Sequence, residues 1–365
     1  MPFMTEPFIC EFRVESFVKG RRIETFLNRH LRTYTSWRIQ RMLKAGCVTV
    51  NDAPAEMSHR VKPGEIIRIR LPSPPDKVAD VEELPLTILY EDPWLIAVSK
   101  PSGQMPHAGG SFLTGSLVNA LQGHFDRQSP RRGMIRPGIV HRLDRQTSGV
   151  MVVPKDHVSH RDLTAQFTAR TVTKKYQAII HGVLRDDHGE IDLPIGTVPN
   201  PKSSLMTSKP FGLAPRLART EFRVLERFAE HTFVEARPRT GRHHQIRIHF
   251  AEIGHPLLAD NFYGPYGVIK DGMPIVADDD AEESSSEEFS VEELMRSPPH
   301  DWKKSYLLPQ FDATLPIRRQ ALHATELAID HPISGMAISF EAPLPADMEA
   351  ALTVLRERER SLAEA

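Results

Sequence analysis

The stretch "GIVHRLDRQTSGVMVVPKD", residues 138–156, decides how this chain is read. Apolar runs at both ends mark it as buried, yet its middle, His141 to Gly149, carries two arginines, an aspartate, a threonine and a serine. An isolated carboxylate that loses its water either takes up a proton or finds a cation. Asp144, flanked by Arg142 and Arg145, therefore belongs either to an ion pair that fixes a loop or to a reactive group kept ionised in a dry pocket. Taken by itself, the loop-fixing alternative is the better of the two.

Outward from this stretch, hydrophobic periodicity sets the surroundings. "LTILYEDPWLIAVSKPSG" reads as two strands joined by a turn at Glu91-Asp92-Pro93, and residues 157–170 read as a helix. "VTKKYQAIIHGVL", "TEFRVLERF" and "TFVEARPRT" read as strands. "GRHHQIRIHFAEIG" reads as a helix with Ile246, Phe250 and Ile253 on one face and Gly254 as its stop. Hairpins dominate, so the expected class is α+β, with a mixed, largely antiparallel central sheet flanked by helices and loops.

Residues 21–71 read as a small α+β module of their own. "RRIETFLNRHL" places Ile23, Phe26, Leu27 and Leu31 at helical spacing. "TSWRIQRMLKAG" follows, with Thr35 or Ser36 as N-cap, Gly46 as stop, and Ile39, Met42 and Leu43 on the apolar side. Arg38, Arg41 and Lys44 recur every three residues along the other side. Short strands come next, "CVTVND" and then "VKPGEIIRIRL", in which Ile67, Ile69 and Leu71 alternate with Arg68 and Arg70. The expected order is an N-terminal extension (1–20), the module (21–71), a Pro-rich linker (72–85), a second domain (86–350) and a C-terminal helix or tail (351–365). Within the second domain an acidic insertion, 266–317, is expected to be mobile.

Composition sets limits. The chain has 365 residues, enough for one large domain or two unequal ones. No run of about 18 apolar residues is present, which argues against a membrane span. The segment "MPFMTEPFICEFRVESF" does not look like a secretory leader. Cys10 and Cys47, the only cysteines, make no disulfide framework and fit a cytoplasmic setting. The net charge of −1 conceals an asymmetry: residues 277–295 hold nine acids and no Lys or Arg, and the remainder without them carries +8. A mildly basic body is compatible with an anionic partner such as nucleic acid.

Three segments in fixed order now combine: "HRLDRQTSG" (141–149), "KKYQAIIHG" (174–182) and "RTGRHHQIRIH" (239–249). They resemble the pattern of the RluA-type pseudouridine synthases: HRLD, two variable residues and TSG, then KxYxA on a strand, then GRxHQIR. The resemblance extends upstream through "ILYEDPWLIAVSKPSG" and downstream through "GHPLLADNFYG" and "ALHATELAIDHPISG" with "EAPLPADM", most of 86–348. The module over 21–71 resembles the alpha-L RNA-binding domain, with Arg38, Arg41 and Lys44 as its expected RNA-binding face.

This resemblance implies the pseudouridine synthase fold and an isomerase that cuts the ribose–uracil bond, turns the base and rejoins it through carbon five. Asp144 is then the catalytic carboxylate, as nucleophile or as base. Arg247 is its ion-pair partner, Tyr176 lies against the uracil face, and Ile246 walls the pocket. A stacked uridine must be extruded to react, and Arg142 is expected to fill the vacated space or grip the backbone. His244 is expected in the pocket, as a packing or lining residue. Neither cofactor nor metal is implied: His244 and His249 would stand about 140° apart on a helix, and no i, i+4 histidine pair occurs here. Two departures from the pattern stand out, His243 in place of a small polar residue and Ala259 in place of a glycine. The expected partner is RNA, with large-subunit ribosomal RNA preferred and transfer RNA second, acted on by a monomer. Two other classes compete, a non-catalytic RNA-binding or assembly factor and a nucleoside hydrolase. The hydrolase would want a second carboxylate near the first.

Overall fold

A computed structural model of the 365-residue chain describes residues 8–18, 20–31, 34–71, 81–107, 114–128, 135–199, 205–210, 212–267 and 314–364. The acidic run 277–295 lies outside the described residues.

In the N-terminal module the expected periodicities become two helices on one sheet. Helix α1 (Ile23–His30) buries Ile23, Phe26 and Leu27, and α2 (Ser36–Lys44) buries Ile39, Met42 and Leu43. The hydroxyl of Thr35 caps α2 by accepting the Arg38 N–H at 3.3 Å, and Gly46, just past its end, takes φ 67°. Four strands, β1 (Phe8–Arg13), β2 (Val48–Val50), β3 (Ala53–Pro54) and β4 (Ile66–Leu71), pair in the order β1-β4-β2-β3. On β4 the buried Ile67, Ile69 and Leu71 alternate with the less buried Arg68 and Arg70. Strand β1 corrects the expected boundary. It lies in the predicted 1–20 extension, yet it pairs antiparallel with β4 along its whole length, and Val14 and Val18 enter the module's core.

The larger sheet is built from β5 (Thr87–Glu91), β6 (Leu95–Lys100), β7 (Ser148–Pro154), β8 (Thr173–His181), β9 (His188–Asp192), β13 (Arg219–Arg227), β14 (His231–Pro238), β15 (Leu322–Asp330) and β16 (Ala337–Glu341). Its order is β5-β6-β7-β15-β8-β14-β13-β9, with β16 attached to β15. Only the β7–β15 pair is parallel among these, so the sheet is mixed and mostly antiparallel, as the hairpins predict. Strands β10 (Ile195–Thr197), β11 (Met206–Thr207) and β12 (Leu213–Arg216) form a small separate sheet. Among the described residues, the domain's α-helices are α3 (Leu117–Gln128), α4 (His157–Ala169), α5 (Gln245–Glu252) and α6 (Ala346–Glu364). Among the described residues no helix is long and apolar enough to cross a membrane.

Strand β7 shows why the stretch around it is apolar. Val150 and Val152 pack into one cluster with Leu163 of α4, while Met151 and Val153 pack into another with Leu121 and Phe125 of α3. A strand covered on both faces needs a continuous apolar run rather than alternation. The TSG that opens it has a backbone reason: Gly149 sits at φ 122°, and a Cβ there would stand 2.2 Å from the Ala324 carbonyl oxygen of β15.

Two further expectations are corrected. Helix α6 begins at Ala346, five residues before the C-terminal helix or tail expected from 351, and Met348, Ala351, Leu352 and Leu355 sit in the core. The same cluster takes in Leu315 and Ile317, so these two residues at the end of the predicted insertion are buried. The reason is apolar spacing: Leu315 and Ile317 supply the surface that the apolar side of α6 covers.

Candidate active site

Asp144 projects from the loop that feeds β7, and four tethers hold that loop. The Thr147 N–H donates to the Asp144 carbonyl at 3.0 Å, closing a turn. The Gly103 N–H donates to the Arg145 carbonyl at 2.9 Å. Lys100, fully buried at the end of β6, donates its ammonium to the carbonyls of Pro101, Gln104 and Arg145 at 2.9, 2.9 and 3.1 Å. Arg319 donates to the Gln146 carbonyl at 3.1 Å while forming a bidentate pair with Asp347 of α6 at 2.7 and 2.9 Å. Burial, with Arg319 as a lesser cause, brings Lys100 down to about 7 against the opposing pull of Asp144. His141 belongs to this scaffold as well. Its Nε2 accepts the Val152 N–H at 3.0 Å, its ring stacks on Phe167 at 4.6 Å, and burial followed by nearby Lys174 holds it down to about 3.

The carboxylate of Asp144 is 15% exposed. Burial pushes its pKa up, but His244, Arg247, His243 and Arg142 together outweigh burial and bring it down to about 2. It is ionised at neutral pH. Tyr176 of β8 lines the same cavity of about 620 Å³, together with Ile246, His244, Arg142 and Arg247. Burial, and then the charge of Asp144, push the Tyr176 hydroxyl well above its usual range, so it keeps its proton.

The ion pair is not the simple one predicted. Arg247, 2% exposed, gives its Nε and Nη2 to Asp260 at 2.7 and 2.9 Å and reaches Asp144 only through Nη1 at 3.4 Å. Asp260 is shaped for this: its Oδ1 also accepts the N–H groups of Phe262 and Tyr263 at 2.8 and 3.2 Å. The bidentate, fully buried pair is the stronger contact. Asp260 therefore secures the guanidinium, and Asp144 is stabilised as an anion without being locked into a tight pair. Ala259, where the family pattern has glycine, adopts φ 55°, so the left-handed turn into Asp260 is kept at some backbone strain.

His244, at φ 54° on the threshold of α5, contacts the Tyr263 hydroxyl through Nδ1 at 2.7 Å and places Nε2 3.9 Å from Asp144. The Tyr263 oxygen also accepts the Met206 N–H at 3.2 Å, so the phenol ties His244 to the small sheet. Asp144, His243 and His244 offer ligand atoms within 4.8 Å of one another. The Arg247 cation stands 3.4 Å from one oxygen of the same carboxylate. His249 turns inward to Thr220 and the Leu193 carbonyl at 2.9 and 3.0 Å.

The structure thus brings together Arg142, Asp144, Tyr176, His244, Ile246 and Arg247. Arg38, Arg41 and Lys44 form a separate face on α2, where none of the three pairs with a carboxylate among the described residues. Trp37, 64% exposed, joins that face, with the Arg41 guanidinium 4.7 Å from its ring. Four residues escape sequence reasoning: Lys100, Asp260, Tyr263 and Arg319. Lys100 leaves one signal, a cation at the end of the apolar run "LIAVSK"; Asp260 and Tyr263 leave only their place in "LLADNFYG".

Comparison with known proteins identifies the family. The family model for RNA pseudouridylate synthase matches residues 95–252. An uncharacterized RNA pseudouridine synthase of Bacillus subtilis (strain 168) is 34% identical over 93% of this chain and 95% of its own. The ribosomal large subunit pseudouridine synthase D of Vibrio cholerae is 34% identical over 93% of this chain and 92% of its own. Among solved structures, human RNA pseudouridylate synthase domain containing 4 matches with a TM-score of 0.52 and 25% identity, covering 74% of this chain and 93% of that one. The chain belongs to the RNA pseudouridine synthases of RluA type, isomerases that convert uridine to pseudouridine in RNA.

Proposed function

We propose that the chain isomerises specific uridines of large-subunit ribosomal RNA, as a cytoplasmic monomer with neither metal nor cofactor, through Asp144. The observation that carries this reading is an ionised carboxylate in a pocket shared with a protonated tyrosine and reached by a buried guanidinium. The substrate class is supported by similar proteins of Nitrosomonas europaea, Neisseria meningitidis and Vibrio cholerae that carry the name ribosomal large subunit pseudouridine synthase D.

In the reaction the bond between ribose C1′ and uracil N1 breaks, the base turns, and a bond forms from C1′ to C5. The C5 proton departs and N1 gains one, so no atom is consumed and no redox partner is required. Asp144 acts at the sugar, by bonding to C1′ or by removing a proton; both roles need the anion that its neighbours stabilise. Tyr176 and Ile246 hold the base, Arg142 at the exposed edge takes the place of the extruded nucleotide, and Arg247 keeps the carboxylate charged. On α2, Trp37 supplies a stacking surface and Arg38, Arg41 and Lys44 meet phosphates. The test is to map pseudouridines in all RNA from cells with and without the chain and to complement with Asp144→Ala. Loss of defined large-subunit positions, not restored by the variant, is the expected result. Loss confined to transfer RNA would overturn the substrate, and restoration by Asp144→Ala would overturn the mechanism.

A further inference from the structure

The cavity that holds Asp144 is walled on one side by cations that the mechanism does not use: Arg170, Lys174, Arg237, Arg239 and Arg242. These fall into two kinds. Arg239 forms a bidentate pair with Glu221 at 2.8 and 2.7 Å, and Arg237 pairs with Glu235 at 2.6 Å, so their charge is spent within the protein. Arg170, Lys174 and Arg242 pair with no carboxylate among the described residues. Arg242 is steadied by a backbone oxygen instead, its Nε donating to the Leu217 carbonyl at 3.2 Å, and Lys174 reaches the Thr240 carbonyl at 3.4 Å.

Arg170 lies close enough to act on both of the others. Burial and then Arg170 bring the Lys174 ammonium down to about 8, and burial followed by Arg170 and Arg216 lowers Arg242. Like charges gathered at the edge of a pocket, without acids among them, are unfavourable unless an anion joins them. A second, independent sign of selection for function is the backbone of Arg170. It ends α4 at φ 61° and ψ 32°, the left-handed C-terminal position that glycine fills at least cost. Strain kept at a pocket edge points to function.

We propose that Arg170, Lys174 and Arg242 form a phosphate-binding rim that grips the RNA backbone beside the extruded uridine. This rests on the reading of the chain as an RNA uridine isomerase and adds to it the residues that hold the polymer while the base is out of its stack. Lys174 lies two residues before Tyr176 on β8, so both side chains leave the same face of the strand. Phosphate held at Lys174 thus fixes the register of the nucleotide whose base meets Tyr176.

The test uses the full chain and large-subunit ribosomal RNA prepared from cells that lack it. Binding is measured across a range of salt concentrations for the native chain and for Arg242→Gln, Arg170→Gly and Arg170→Lys. Each removed charge should lower the slope of log affinity against log salt by about one, and KM should rise about tenfold, the loss falling on KM rather than on kcat. Arg170→Lys should keep the slope. Arg170→Gly should raise Tm, by relieving the left-handed strain, while weakening RNA binding, a combination that a structural role does not produce. Unchanged salt slopes in both charge-removing variants, or a fall in Tm together with affinity for Arg170→Gly, would overturn the rim. Uridine 5′-monophosphate is the second probe: competition as strong as that of the polymer would reassign the rim to free nucleotides and overturn the backbone site. Turnover by the native chain tests the isomerase reading separately, and the slopes report on the rim whatever that outcome.

Discussion

Asp260→Asn is the most direct probe of how the site divides its buried guanidinium between two carboxylates. The substitution preserves shape and removes one charge. The Asn carbonyl can stay where Oδ1 accepts Arg247 Nη2 and the two backbone N–H groups, but its amide nitrogen then meets Arg247 Nε, 2.7 Å away, donor against donor. Arg247 is 2% exposed and the Asp260 side chain 0%, so no water replaces the lost oxygen. Breaking a buried pair from one side costs about 3–5 kcal/mol. Asp144 cannot compensate from 3.4 Å without giving up its own freedom. The assay is urea unfolding at neutral pH followed by circular dichroism, with isomerisation measured well below the transition. Asp260→Asn should lose about 3–5 kcal/mol, and Asp144→Asn less, because its single contact is longer and its carboxylate is 15% exposed. A smaller loss for Asp260→Asn than for Asp144→Asn would refute the assignment of Asp260 as the principal anion of Arg247.

Three more outcomes follow from the geometry. The folded pKa of Asp144 lies at about 2, below the unfolded value of 3.8, so the carboxylate stabilises the fold above about pH 4 and loses that contribution as pH falls toward 2. The stability gap between the native chain and Asp144→Asn should therefore be about 2 kcal/mol near pH 7 and shrink through the acid range; a gap that is constant with pH would disprove the charge coupling. Gly149→Ala would set a Cβ 2.2 Å from the Ala324 carbonyl, with φ 122° unfavourable as well, so soluble yield and Tm should both drop sharply; a near-native Tm would mean that the parallel β7–β15 contact is wrongly placed. Trp37→Ala should weaken RNA binding by about 1–3 kcal/mol if a base stacks on the exposed ring, with Tm unchanged because the ring is 64% exposed; unaltered binding in a filter assay would exclude stacking there.

What the sequence by itself determined is whatever depends on neighbours along the chain. Periods of 3.6 and 2 placed α1, α2, β4, β8, β13 and β14, and the apolar runs on either side of His141–Gly149 marked that stretch as buried. The order of the HRLD, KxY and HQIR segments named Asp144, Tyr176 and Arg247 together, and one cavity contains all three. Tertiary structure decided the rest. That β15 would slide between β7 and β8, parallel to one and antiparallel to the other, is written in no local pattern, because its partners lie far away in the chain. Strand β1 looked like an extension because a single edge strand has no pattern of its own until β4 receives it. The division of Arg247 between Asp260 and Asp144 is likewise a matter of ångströms. Spacing in sequence can bring a guanidinium and two carboxylates to one pocket, but only packing chooses which carboxylate is bound tightly and which is held at a single longer contact.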